Sequence, residues 1–448
     1  MRILLVNPSS GNTFRSLGIV PPPLGLLYIA AAVRRSGHQV KIFDGMVEKP
    51  PIAFSGCDVV GIYCDTTRFS QVMDLARRAK SNGCRVVLGG PHPCFDAPTI
   101  MATGWVDAIV RGEGERSFVK LLESWQYSDT PEAMAGVIVH TPDGIVDGGP
   151  ARHIHDLDNL PLPARDLIDL PLYAMNQLQG RPFMSMHTSR GCPFQCRFCA
   201  STQIDGATWR ARSAESVLDE LEHVAVDLGY GAVSFMDDNF TGSKKRIHEI
   251  CDGILSRGLD LKWWCFCRVD TIVRHPDMIA HMARAGAATI FIGVESPNAW
   301  VLDGNNKGTR SHQAREAVRI LKSLNIEICA SYILGFPQER PKDIRATIRF
   351  ARELDTDTAQ FTILTPYPGT VLWEELEERL LYRSGHTFDG MHAVFRHPHI
   401  GTTHEMQLWH LWAYLSYYLR SRKSIQGFFR FLRNRKKRLQ TVTAAVGN

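Results

Sequence analysis

The sequence predicts an α/β protein in two blocks: a doubly wound, Rossmann-like sheet, then a partial (β/α)6 barrel of TIM type, with a helical, basic C-terminal extension. Three observations predict it. Short apolar runs rich in Val, Ile and Leu alternate with longer stretches of helical periodicity, as parallel strands with crossover helices do. The alternation fades over residues 126–182 and resumes at Met184. From Met406 onward there is no Asp or Glu, while nine Lys and Arg residues follow.

In the first block, strands are expected at Arg2–Asn7, Gln39–Phe43, Val59–Tyr63, Arg85–Leu88 and Ala108–Val110. Helices fit Pro22–Ser36, with Gly37 just past its end, then Ser70–Ser81 and a stretch from Glu115. Open parallel sheets bind ligands beyond the carboxyl ends of their strands. In the second block, strands are expected at Met184–Thr188, Ala232–Met236, Trp263–Arg268, Thr289–Val294, Glu327–Ile333 and Asp357–Leu364. Helices between them fit Ser213–Leu228, Lys244–Ser256, Asp277–Ala285, Arg310–Leu324 and Lys342–Leu354. Six strands are too few to close an eight-fold barrel. The expected division is 1–125 for the first domain, 126–182 for a linker, 183–380 for the barrel and 381–448 for the extension.

Length and composition set the bounds. A chain of 448 residues, 44% hydrophobic and 22% charged, has the makings of two or three globular domains. The net charge of +5 is smaller than the nine charges of the C-terminal end, so the body is net acidic. That excludes a broad nucleic-acid-binding face on it. The opening MRILLVNPSS reads as a strand rather than a secretory signal, and no run of 18 apolar residues suggests a membrane span. A cytoplasmic, reducing setting is the expectation, where cysteines serve metals more often than disulfides.

Ser189–Cys199 (SRGCPFQCRFC) contains C-x3-C-x2-C right after an expected strand. Thiolates bind iron well, and so tight a loop can present three sulfurs to one cluster. Three protein ligands leave one iron of a cubane open to substrate or cofactor. A zinc site or three buried cysteines are the alternatives. Zinc needs a fourth ligand, and none follows at the usual spacing. Cys265 and Cys267 would share one face of their strand; an auxiliary cluster there is a remote alternative to a structural role.

The triplet after the first barrel strand resembles the radical S-adenosylmethionine (SAM) superfamily, and the resemblance covers most of Met184–Leu380. It implies a [4Fe-4S] cluster on Cys192, Cys196 and Cys199 whose open iron chelates SAM. Reductive cleavage then gives a 5′-deoxyadenosyl radical, with an external donor such as flavodoxin or ferredoxin. Further segments resemble family motifs. Phe235–Phe240 (FMDDNF) ends the second strand, so Asp237 and Asp238 would accept from the methionine ammonium. Arg268 would pair with the carboxylate; for Arg268 and Asp237, a salt bridge at the barrel mouth is the competing reading. Glu295, in Gly293–Ser296 (GVES), would bind ribose hydroxyls. Ser331 and Gly335, in Ser331–Pro337 (SYILGFP), would lie near the adenine.

The first block resembles the cobalamin-binding domain of one large subfamily, through Pro22–Tyr28 (PPLGLLY), Val86–His92 (VVLGGPH), Arg111–Glu115 (RGEGE) and Leu160–Asp166 (LPLPARD). The resemblance implies cobalamin held by Thr66, Thr67, Gly89, Gly90 and Glu113, with Tyr63–Arg68 flooring the corrin. There is a departure: Asn7–Asn12 (NPSSGN) has no His where many such domains carry the cobalt ligand. His92 reads as packing or capping. The alternatives are a nucleotide-binding sheet, against which the lack of a G-x-G-x-x-G near the first strand speaks, and a domain that only shields the barrel mouth.

The expectation is therefore an enzyme using all three cofactors to methylate an unactivated carbon of a small or lipid-like substrate. A cyclase, ring-contraction or oxidation enzyme of porphyrin or hopanoid type is the rival. A cobalamin-binding sensor or carrier is a third reading, against which Glu295 and Asp237–Asp238 speak. The end of the chain, Gln407–Arg438, interleaves aromatics with positive charge. Its first half suits a helix packed on the barrel. Its second half suits either peripheral contact with an anionic membrane face or a solvated terminus.

Overall fold

The computed structural model describes residues 1–9, 20–128, 132–173, 177–204 and 206–420. The chain forms two compact units. The first is built chiefly from the residues up to Tyr173, the second from those after it, with Ser384–His386 belonging to the first.

In the first unit the elements are β1 (Arg2–Asn7), α1 (Leu24–Arg35), β2 (Gln39–Asp44), β3 (Val59–Tyr63), α2 (Phe69–Ser81), β4 (Arg85–Gly89), α3 (Ala97–Ala102), β5 (Ala108–Val110), α4 (Gly114–Tyr127), β6 (Val137–Thr141) and β7 (Gly144–Asp147). The sheet order is β2-β1-β3-β4-β5-β6-β7. The first five strands run parallel; β6 and β7 are antiparallel additions. Both faces are buried, as a parallel sheet requires. Val60, Ile62, Val86 and Leu88 pack with Val72, Leu75 and Ile100 from α2 and α3. Leu5, Val59 and Val87 pack with Ala30, Val33, Phe118 and Leu121 from α1 and α4. The order reverses between β1 and β3, which opens a crevice at their carboxyl ends.

One expectation is corrected here. The stretch read as a linker supplies β6 and β7, a hairpin on the sheet edge, and its Tyr173 is buried with the hydroxyl donating to Asp44 Oδ2 at 2.6 Å.

The second unit holds β8 (Gln177–Leu178), β9 (Arg181–Met186), the ribbon β10 (Ser189–Arg190) with β11 (Arg210–Ala211), α5 (Ala214–Glu222), β12 (Ala232–Phe235), α6 (Lys244–Ser256), β13 (Lys262–Cys267), α7 (Pro276–Arg284), β14 (Ala287–Glu295), α8 (Ser311–Ser323), β15 (Glu327–Leu334), α9 (Pro341–Leu354), β16 (Thr358–Ile363) and α10 (Thr403–Tyr418). The order β16-β15-β14-β13-β12-β9-β8 sets six parallel strands side by side in sequence, curled into a half-barrel with β8 antiparallel at one edge. Burial alternates along the strands. Cys265, Ile290, Ile292, Ile328, Ala330 and Phe361 are buried, while Trp264, Phe266, Phe291, Ser331 and Gln360 are half-buried on the opposite face.

An incomplete barrel leaves an edge strand with unpaired backbone groups. Here α10 covers that edge. Tyr414 Oη and His410 Nε2 lie 3.2 and 2.9 Å from Phe361 O, and Tyr418 donates to Ala359 O at 3.0 Å. So α10 packs on the barrel as part of the second unit, the arrangement expected for the first half of the C-terminal stretch. Residues 421–448, with most of the basic cluster, lie outside the described residues.

Candidate active site

In the second unit, the cysteine loop is pinned where it begins. Asp237, at the end of β12, is fully buried. It accepts from the Thr188 amide at 2.6 Å, from Ser189 Oγ at 2.8 Å and from the Thr188 hydroxyl. Arg246 on α6 donates to Thr188 O at 2.9 Å and to Arg212 O at 2.7 Å. The ribbon β10–β11 closes the loop, pairing Ser189 with Ala211 and Arg190 with Arg210. Between these anchors Cys192, Cys196 and Cys199 are half-buried free thiols.

The loop bears on the carboxyl ends of three strands. Phe194 lies under the Arg268 guanidinium at 3.6 Å, past β13. The ring of Phe198 lies 5.9 Å from Lys307 Nζ and meets Phe336, after β15, edge-on at 5.8 Å. Lys307 in turn pairs with Glu295 at the end of β14, 2.7 Å apart, with both side chains at most 10% exposed. Glu295 has φ +61°, at a register shift of β14 against β15. Such strain in a non-glycine residue gathers at functional sites.

Each expected cofactor residue of this unit has a definite place. Asp238 is exposed and accepts from Ser201 Oγ at 2.9 Å, just past the loop. Arg268 pairs with Asp270 at 2.9 Å rather than with Asp237, and donates to Lys307 O at 2.8 Å. Ser331 is half-buried, in register with Gly293 and Gln360. Gly335 has φ +87°, and a Cβ there would meet the Met406 methyl of α10 at 2.5 Å. Its amide and that of Phe336 donate to Glu339 Oε2 at 2.9 and 3.0 Å. Asp237 is the correction: with its oxygens engaged and no exposure, it anchors the loop instead of reaching a cofactor ammonium.

In the first unit, a largely buried polar chain runs past the carboxyl ends of β1 and β3. Asn7 donates to Asp44 at 2.8 Å and accepts from Arg68 at 2.7 Å. Arg68 pairs with Asp65 at 3.2 Å. Burial raises the carboxyl of Asp44 against these partners. Thr67 donates to Asp65 at 2.6 Å. Gly89 ends β4 half-buried, and a Cβ there would meet nothing nearer than Val110 O at 3.8 Å, so its backbone is approachable. Gly90 has φ +105°, and a Cβ there would lie 2.7 Å from Cys64 O. Two expectations change. Thr66 is buried with its hydroxyl 3.3 Å from His92 Nδ1. Glu113 is buried and accepts from the Ile154 amide at 2.5 Å. Both hold the walls rather than face the crevice. His92 is buried against Phe69, ring centres 4.4 Å apart, and burial lowers its pKa.

Comparison with known proteins matches a family to each of the two units. The radical SAM superfamily profile matches residues 186–351, and the B12 binding domain profile matches residues 13–122. A protein of Pyrococcus horikoshii named as an uncharacterised methyltransferase is 36% identical over 445 residues, covering 96% of this chain and 95% of its own. The chain belongs to the cobalamin-dependent radical SAM family. Another relative, the anaerobic magnesium-protoporphyrin IX monomethyl ester cyclase of Cereibacter sphaeroides, is 27% identical over 401 residues, 85% of this chain and 64% of its own. The fold matches that of the radical SAM methyltransferase TsrM from Kitasatospora setae, solved with cobalamin and a [4Fe-4S] cluster. The TM-score is 0.70 at 19% identity, covering 84% of this chain and 74% of the other.

As a cobalamin-dependent radical SAM enzyme the protein uses a [4Fe-4S] cluster, SAM and cobalamin, and its residues fit them. The donor set in the loop is three soft sulfurs. Burial raises the Cys192 and Cys196 thiols, and the nearby charges of Lys307 and Arg268 pull Cys196 back toward thiolate. Among the described residues, no three His, Cys, Asp or Glu side chains are grouped to hold a single ion; a cubane instead offers separate iron corners. Cys265 and Cys267 are buried, and burial raises both thiols, Cys267 to about 12, which suits protonated core thiols. Sequence reasoning missed Lys307, Phe194, Phe198 and Glu339. Of these only Lys307 carried a signal, a lone cation in the turn-rich stretch Gly304–Gly308 (GNNKG).

Proposed function

We propose that Cys192, Cys196 and Cys199 hold the [4Fe-4S] cluster and that the enzyme methylates an unactivated carbon of a small, hydrophobic substrate. When bound, the cluster supplies the electron that cleaves the SAM sulfonium, and cobalamin supplies the methyl carrier. The chain's residues orient and shield. Asp237 and Arg246 fix the loop. Arg268 and Asp238 stand where the methionine carboxylate and ammonium would bind. Glu295, held by Lys307, accepts ribose hydroxyls. Ser331 and Gly335 border the adenine. In the first unit, Thr67, Gly89 and Gly90 border the cobalamin, with Thr66 and Glu113 behind them.

One observation carries the reading: Phe194 and Phe198 of the cysteine loop rest on Arg268 and Lys307, so three thiols and the polar strand ends share one mouth. The row Trp264, Phe266 and Phe291, with ring centres 5.1 and 5.0 Å apart on the half-buried face, supports an apolar substrate. An external one-electron donor and membrane contact through the basic end complete the proposal. Among the described residues, no helix is long and apolar enough to cross a membrane.

The test is anaerobic turnover of reconstituted protein with cobalamin, SAM and a strong reductant. The expected products are 5′-deoxyadenosine and S-adenosylhomocysteine together, both lost in Cys196→Ala. Deoxyadenosine alone would point to the cyclase or oxidation chemistry of the rival reading. Cofactor binding without cleavage would point to a sensor.

A further inference from the structure

α10 has two faces of different chemistry. Met406, His410, Ala413 and Tyr417 are buried. On the opposite side Leu408, Leu411, Trp412, Leu415 and Leu419 are exposed by 51%, 53%, 53%, 44% and 50%. Their spacing sets them on one stripe. No Lys, Arg, Asp or Glu occurs from Met406 to Leu419. Five half-exposed apolar side chains in one row are a patch rather than scattered surface residues.

A basic stripe runs alongside. α9 packs against α10, and its Lys342, Arg345, Arg349 and Arg352 are exposed along one side. The Arg345 guanidinium stands 5.7 Å from the Trp409 ring centre, which joins the two stripes. The nearby acids are engaged elsewhere: Glu353 with Arg315, Asp355 with Arg420, Asp343 with the Arg340 amide, and Glu405, in the first turn of α10, with the Gly401 amide and the Trp409 indole. The four α9 cations thus lack carboxylate partners among the described residues. Past Arg420 the sequence adds eight more Lys and Arg, no acid, and Phe428, Phe429 and Phe431.

We propose that α10 and α9 form a docking surface for an anionic lipid bilayer. The leucines and Trp412 of α10 seat at the headgroup boundary, and the α9 cations meet the lipid phosphates. Charge decides between occupants. A second copy meeting this one through α10 would bring two basic stripes together, within the ~8 Å over which charge acts at physiological salt. The chain's own end carries the same sign as α9. An anionic bilayer matches both the apolar and the basic stripe. With 16 residues, α10 lies on the bilayer rather than crossing it. The proposal rests on the hydrophobic-substrate reading only for what the enzyme would gain there.

Vesicle co-sedimentation of the full chain tests it, with phosphatidylcholine alone and mixed with phosphatidylglycerol. The protein should pellet with the mixture, and about tenfold less with the neutral vesicles or at high salt. Leu411→Glu/Leu415→Glu should lower binding about tenfold or more, and Arg345→Glu/Arg349→Glu should lower it at low salt only. Both variants should keep the wild-type circular dichroism and the wild-type yield of 5′-deoxyadenosine without vesicles, which separates failure to bind lipid from failure of the enzyme reading. No binding by the wild type overturns the proposal. Unchanged binding of Leu411→Glu/Leu415→Glu overturns it by assigning the contact to residues after 420. A dimer that these two substitutions dissociate overturns it by assigning the stripe to a second copy.

Discussion

Asp237→Ala removes a fully buried carboxylate that accepts three hydrogen bonds where the cysteine loop begins. Hydrogen bonds to a charged group contribute about 1.5–3 kcal/mol each, and a stranded buried donor costs about 1–3 kcal/mol. The hydroxyls of Thr188 and Ser189 can turn toward other acceptors, but the Thr188 amide cannot. The expected loss is about 3–4 kcal/mol of stability in the second unit. Asp237→Asn keeps an oxygen for the Thr188 amide, and the hydroxyls can reverse to accept, so it should cost about 1 kcal/mol. Urea denaturation of anaerobic protein reads the stability, and iron content per chain after reconstitution reads the loop. Asp237→Ala should lose both stability and iron, whereas Asp237→Asn should keep most of each. An Asp237→Ala chain that unfolds with the wild type and takes up full iron would refute the anchoring role. A defect confined to SAM affinity would return Asp237 to cofactor binding.

Three other outcomes are expected. Burial raises the Glu339 carboxyl to about 7 from 4.5, so its favourable protonation is complete below about pH 4.5 and is lost as pH rises through 7. Stability should fall by roughly 3 kcal/mol across that window, and a pH series of denaturation curves in which Glu339→Gln keeps the wild-type slope would disprove it. Lys307→Met strands the buried Glu295 carboxylate and should cost about 3 kcal/mol; adding Glu295→Gln should recover more than half, as a double-mutant cycle would measure. Gly90→Ala forces a Cβ to 2.7 Å from Cys64 O at φ +105°, so cobalamin binding in equilibrium dialysis should drop about tenfold while iron loading of the second unit stays unchanged.

The barrel was legible because short strands carrying apolar residues at alternate or successive positions recur between helical stretches, and sequential parallel strands have few ways to stack. The hairpin β6–β7 carries a weaker signal. Val137–Thr141 (VIVHT) is followed by Pro-Asp-Gly, a strand and turn signal, yet β7 is largely exposed and lacks the apolar core of its neighbours. The cysteines stood out by spacing alone. Phe194 and Phe198 did not, because an aromatic beside a cysteine says nothing about which distant cation it will meet. Asp237 shows the other limit. FMDDNF carries two adjacent acids on alternating faces, and the sequence does not say which turns inward.

Met406 occupies the space that any side chain at position 335 would need. α10 is thus a wedge beneath the segment Ser331–Pro337, and it also hydrogen-bonds the outer edge of β16. A fragment trimmed at residue 380, where the strand–helix alternation ends, would keep every barrel strand yet open a void under that segment and bare the edge of β16. The minimal folding piece of the second unit therefore runs through Tyr418, and truncation meant to isolate the catalytic portion should begin beyond that residue.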